Sequence, residues 1–213
     1  MRALVAIAGF ALAGFACAGA PTEPSPTPAT MTLDAAAWQT ISDPQPYPLL
    51  NRGSALTFDF PSSGSMHYLF VPSPLASMHG TMVLSFTITT SGSVAFHSLD
   101  PQSSTCTIAS AVRPFFWAND SGNGAYDRWW SNPRAVTLAA GDGSLSVPLK
   151  PENWSSVNGK FGNADSETRY AFEKALLNVT RVGVTFGGGC SFGHGIVISG
   201  GTASFALSRF VIQ

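Results

Sequence analysis

Two stretches of this chain carry side chains of a kind and spacing that could do chemistry. The first is GCSFG, Gly189 to Gly193, which spells G-x-S-x-G. In many hydrolases that pattern lifts a nucleophilic serine onto a tight turn. The second is RPFFWANDSGNGAYDRWWSNP, Arg113 to Pro133, in which Phe115, Phe116 and Trp117 enter a polar turn and Tyr126, Asp127, Arg128, Trp129 and Trp130 leave it. Exposed rings beside Asn, Asp and Arg suit sugar recognition, because the ring stacks on apolar C–H faces while planar polar groups read hydroxyls.

The serine fails on its context. A nucleophile elbow needs strand, sharp turn and helix in that order, with the acid and the base following the serine. Arg181 to Phe186 (RVGVTF) supplies a strand, but the residues after Gly193 are glycine-interrupted and β-branched and will not hold a helix. No Asp or Glu follows Glu173, and the only later histidine is His194. No catalytic residue is assigned, although a different fold could bring partners to a serine from elsewhere. The loop also lacks the lysine of a P-loop, and Ile198 stands where G-x-G-x-x-G needs its third glycine. His67, His79, His97 and His194 show no paired ligand spacing, and Asp120 and Asp127 read as turn-formers. Neither a metal nor a cofactor is expected.

The aromatic stretch leaves two readings open. Consecutive residues on a strand point to opposite faces, so one of Trp129 and Trp130 serves the core while the other meets solvent or lies under a loop. Either the rings are packing residues, with Asp127 and Arg128 as a surface pair, or they form part of a ligand site. The candidate ligand residues are Asn119, Tyr126, Asp127, Arg128, Trp129 and Trp130, joined by Phe192 and His194 from the glycine loop.

The elements that must position them have a period of two. Leu56, Phe58 and Phe60 alternate with polar or small residues, as do Met82, Leu84, Phe86 and Ile88, then Leu145, Val147 and Leu149, then Val182, Val184 and Phe186. Each segment can bury one face and wet the other, as antiparallel strands do. The clusters PSSGS, TTSGS, NDSGNG, AAGDGS and SGG read as the turns between them. Asp165 to Asn178 breaks the period, with Phe172, Ala175 and Leu176 on one face of a short helix. The fold class is therefore all-β, an antiparallel β-sandwich with one short helix.

Composition agrees with an exported domain. Charged residues make up 11% of the 213, and the net charge is -1 without a basic cluster. That excludes a nucleic-acid face, which needs a stripe of lysine and arginine. Ala3 to Ala16 is an unbroken run of small and apolar residues, too short to span a bilayer and suited to the h-region of a secretory signal. The signal occupies residues 1–17, and two endings stand side by side. One is cleavage at the small residues around Cys17; the other is a lipobox, Gly14-Phe15-Ala16-Cys17, that makes Cys17 a lipid anchor and the sole membrane contact. Residues 18–30, rich in proline, read as an extended tether, and residues 31–213 as the domain. In an oxidising compartment Cys106 and Cys190 are expected to form a disulfide, with two buried thiols as the alternative. Asn119, Asn153 and Asn178 head N-x-[ST] sequons, which would mark surface loops in a eukaryotic secretory pathway.

The C-terminal part carries a resemblance. VPLKPENWSSVNG, a short helix, NVTRVGVTF, a glycine-rich loop and GTASFALSRFVI together resemble the tail of galactose-binding-like jelly rolls, which include many carbohydrate-binding modules. The likeness covers about Leu145 to Gln213. It implies a jelly-roll sandwich with ligand loops at one end and a carbohydrate partner. Ser208 and Arg209 stand where that family often has an acidic residue near a structural calcium. The expected function is a non-catalytic carbohydrate-binding module of a bacterial surface, periplasmic, anchored to the outer membrane or extracellular. The alternatives are a polysaccharide hydrolase or lyase, and a structural envelope or adhesion protein.

Overall fold

The computed structural model describes residues 28–73, 75, 77–99, 108–119, 124–189 and 192–213. The leader, Cys17, Cys106, Cys190, Asp120 and Ser191 lie outside the described residues, and with them the expected cleavage, anchor and disulfide. Within the described residues, the strands run β1 (Ala29–Thr30), β2 (Gln39–Asp43), β3 (Leu50–Arg52), β4 (Ala55–Asp59), β5 (Ser65–Pro72), β6 (Thr81–Ser98) and β7 (Ile108–Trp117). They continue as β8 (Arg128–Ser131), β9 (Val136–Thr137), β10 (Gly141–Pro148) and β11 (Trp154–Ser156). A helix, α1 (Ser166–Leu176), precedes β12 (Arg181–Gly189) and β13 (Ile196–Ile212).

Hydrogen bonding divides the strands into two antiparallel layers. In the first, β13 lies between β6 and β4, β10 flanks β6, and β3 flanks β4. In the second, the order is β2, β5, β12, β7, β8, β11, with β9 beside part of β7. The layers join at one corner, where Ile196 of β13 pairs with Met66 of β5. The result is an antiparallel β-sandwich of the jelly-roll type with one helix: the period of two accounts for the strands, and the jelly-roll course is the one the resemblance implied. Ala29 and Thr30, at the end of the proline-rich stretch, pair with Ile212 and Val211.

The inner faces are those predicted from alternation. Leu56 and Phe58 from β4, Phe60 just beyond it, and Met82, Leu84, Phe86 and Ile88 from β6 are buried against Val182, Val184 and Phe186 of β12. Phe186 meets Phe58 and Phe205 edge-on across the interior, at centroid distances of 5.5 and 5.3 Å. Such pairs add about 0.5–1.5 kcal/mol beyond the area they bury. Helix α1 closes the end of the core below β8. Asp165 caps it by accepting a hydrogen bond from the Thr168 amide, and Phe172 packs 5.0 Å from the Trp129 ring.

Two of the predicted turns are not turns. TTSGS lies inside β6 and SGG inside β13, whereas AAGDGS starts in the connection from β9 and runs into β10. Gly92 and Gly200 adopt φ of +86° and +78°, and the register of β13 on β6 shifts between Ser199 and Gly201. The glycines mark a bulge at which two long strands bend together and stay paired.

Candidate functional site

The outer face of the second layer is aromatic. Phe115 and Trp117 alternate with inward Phe116 on β7, and the register sets Phe115 opposite Trp130 and Trp117 opposite Arg128 on β8. Across β12, Phe70 and Tyr68 of β5 complete a second cluster with Phe115, Trp117 and Trp130, separate from the main core. Tyr68 stands 4.9 Å from Phe115 and 5.5 Å from Trp117, ring to ring. β12 passes beneath at Gly183, where an added Cβ would lie 2.7 Å from the Phe70 Cα and run into the Leu69 carbonyl. Only glycine lets the two strands close up at that point.

Three arginines lie over these rings. Arg113 holds its guanidinium 3.7 Å from the centre of Phe192, Arg128 sits 5.9 Å from Trp117 and 5.8 Å from Trp130, and Arg181 is 5.1 Å from both Phe70 and Trp117. Arg113 is buried and donates from Nη1 to the Ser131 carbonyl; burial pulls its pKa down to about 10. Desolvation disfavours the charged form, and among the described residues no carboxylate offsets it.

A cleft of about 230 Å³ opens at one edge of this face. Tyr68, Trp130 and Phe192 give it aromatic walls; Arg128, Ser156 and His194 give it polar ones. Among the described residues, the Nε1 of Trp130, the Nε of Arg128 and the Oγ of Ser156 are buried without a hydrogen-bond partner, as is the Nε1 of Trp117 on the same face though outside the cleft. Burial pushes the pKa of the Tyr68 hydroxyl up, against the smaller opposing effects of the Trp130 N–H, Arg128 and Thr185 beside it. Buried polar atoms in native proteins almost always have partners, so a group of orphans around one cleft points to a ligand.

The loop that closes the cleft is held by a histidine the sequence did not single out. The register of β2 on β5 skips His67 between Tyr68 and Met66, which makes it the extra residue of a bulge. Its Nδ1 lies 3.1 Å from the Gly193 carbonyl and its Nε2 lies 2.6 Å from the Ser65 hydroxyl. A carbonyl only accepts, so Nδ1 carries the proton and Nε2 accepts from Ser65. Gly193, at φ +80°, has no room for a Cβ, which would fall 2.7 Å from Thr185 Oγ1 and against the Tyr68 hydroxyl.

The predicted ligand residues therefore divide into three groups. Arg128, Trp130, Phe192 and His194 meet in the cleft. Asn119, Tyr126 and Asp127 line a separate hollow between the β7–β8 turn and α1. There Asp127 accepts from Asn119 Nδ2 at 2.7 Å and from the Gly124 amide at 2.8 Å, which orders the turn. Trp129 is fully buried: its Nε1 donates to the Tyr126 carbonyl and its ring packs on Phe172, so it belongs to the core and not to a ligand surface. Tyr68, Ser156, Arg113 and Arg181 were missed. The available signal was PFFW and HYLF, runs whose two faces are both apolar, which a half-wetted strand does not need.

Sandwiches of this course occur among solved structures. The family 11 carbohydrate-binding module of the cellulosomal cellulase Lic26A-Cel5E of Clostridium thermocellum is 8% identical, with a TM-score of 0.44 over 86% of this chain and 94% of that one. TmCBM61, solved in complex with β-1,4-galactotriose, is 11% identical, with a TM-score of 0.38 over 85% of this chain and 92% of that one. The L4b domain of human laminin α-2 is 8% identical, with a TM-score of 0.44 over 88% and 97%. No family model and no curated protein matches the chain. What the cleft binds is a matter for its own side chains.

Proposed function

We propose that this protein is a non-catalytic carbohydrate-binding module, exported and either free or lipid-anchored, with its ligand in the cleft between β8 and the Phe192–His194 loop. One observation carries the reading: orphaned buried polar atoms on Trp130, Arg128 and Ser156 sit among aromatic walls in one cleft. Rings supply stacking surface for a pyranose, and the fixed donors orient it. The test is a glycan array probed with the purified protein, with Arg128→Ala and, as control, Arg209→Ala. Binding that the first variant loses and the second keeps supports the reading. Absence of binding to every glycan defeats it. For the anchor, a Cys17→Ala variant that stays in the membrane fraction would rule it out.

A second reading is catalytic, favoured by the meeting of Tyr68, His194 and Arg128 in the same cleft. Such a set suits eliminative cleavage of a uronate polymer, in which a base takes the C5 proton, the C4–O bond breaks and the leaving oxygen is protonated. Appearance of unsaturated sugar ends in a polysaccharide panel would select it.

A further inference from the structure

We propose that the ligand is an acidic glycan, bound through a carboxylate or sulfate group that Arg128 receives. This rests on the carbohydrate-binding reading and specifies its substrate class.

The orphaned polar atoms have a common direction. Indole Nε1–H and guanidinium Nε–H can only donate, so Trp130 and Arg128 offer the cleft donors and no acceptor. Ser156 adds a hydroxyl that serves either way. Among the described residues no Asp or Glu lines the cleft. A neutral sugar presents hydroxyls that donate as well as accept, and sites for them need acceptors among their side chains. Fixed donors on Trp130 and Arg128, side by side and with no carboxylate beside them, fit a group that only accepts, and carboxylate and sulfate oxygens are such groups.

Charge points the same way. Arg113 and Arg128 stand on this one face, each over an aromatic ring. Arg113 is 2% exposed, is stacked beneath Phe192 and, among the described residues, meets a backbone carbonyl and not a carboxylate. A buried cation without an anion is costly and raises the potential of the cleft beside it. An anionic sugar entering the cleft would supply the missing charge. The guanidinium edge of Arg128 that includes Nε suits a two-oxygen contact, which a lysine cannot reproduce.

The test is titration calorimetry of the purified protein against four probes: oligogalacturonate, the same oligomer fully methyl-esterified, a sulfated galactan and a neutral galactan. The expected result is binding of an acidic probe about tenfold or more tighter than its neutral counterpart, weakening as salt is raised. The acid–ester pair reports a carboxylate source and the sulfated–neutral pair a sulfate source; preference in either sustains the inference. Arg128→Lys, with an unchanged melting temperature, is expected to lose most of that preference. Equal affinity for charged and neutral probes overturns the acidic ligand while leaving the carbohydrate-binding reading intact. Failure of all four probes and of the glycan array overturns both.

Discussion

The guanidinium of Arg113 on β7 lies 3.7 Å from the centre of the Phe192 ring, which belongs to the connection between β12 and β13. The contact joins the floor of the aromatic face to the loop that walls the cleft. Removing the ring in Phe192→Ala uncovers Arg113 and deletes a cation–π contact worth about 0.5–2 kcal/mol. Stability in chemical denaturation should fall by about that amount, and glycan binding should weaken more than the stability loss explains. Equal binding by the variant would show that the loop is not part of the site.

Trp129 and Trp130 are neighbours with opposite duties, and their variants should separate. Trp129→Ala empties a fully buried site packed on Phe172 and should cost about 3–5 kcal/mol, enough to threaten folding. Trp130→Phe keeps a ring in the outer cluster and removes only an unpartnered N–H. Its melting temperature should stay within a few degrees of the parent, about what a 1 kcal/mol change gives at this size. Binding should nevertheless drop several-fold, because a donor to the ligand is lost. A Trp130→Phe protein that binds normally would remove that N–H from the recognition scheme.

The same pair shows how much the sequence could reveal. Alternation predicted that one tryptophan is inward and the other outward, and cross-strand register then decides which. It did not place Tyr68 or Arg113 near Trp130, because β5 and β7 meet only through β12, and strand order leaves no local mark. Glycine clusters misled for a related reason. A glycine at positive φ serves a hairpin turn and a bulge equally well, so TTSGS and SGG read as chain reversals while β6 and β13 run through them. Helix α1 was legible because its signals, a capping Asp165 and the spacing of Phe172, Ala175 and Leu176, are local.

Gly193 should tolerate no side chain. Its φ of +80° disfavours any L-residue, and a Cβ would collide with Tyr68 and Thr185. Gly193→Ala is expected to cost about 1–3 kcal/mol, from strain and from displacement of the loop. Denaturant midpoints measure the first effect. Loss of glycan binding at temperatures where the variant remains folded measures the second.

His67 gives the site a pH dependence whose sign can be worked out. Burial lowers its pKa below the ordinary 6.5; the Gly193 hydrogen bond opposes this, nearby His194 reinforces it, and Asp43 opposes it. A cationic group with a depressed folded pKa takes its proton more readily in the unfolded chain, so stability is full above pH 6.5 and falls as pH drops from there toward the folded value. Protonation also makes Nε2 a donor and ends its acceptance from Ser65, loosening the bulge that grips the Gly193 carbonyl. Melting temperature followed from about pH 7.5 to 5 should decline in the parent and decline less in His67→Gln, which carries no titrating group there. Glycan affinity at constant ionic strength should weaken over the same interval in the parent, because the Phe192–His194 loop forms one wall of the cleft. Parallel melting curves for the two proteins would assign the pH dependence to other groups and leave His67 as a fixed hydrogen-bonding post.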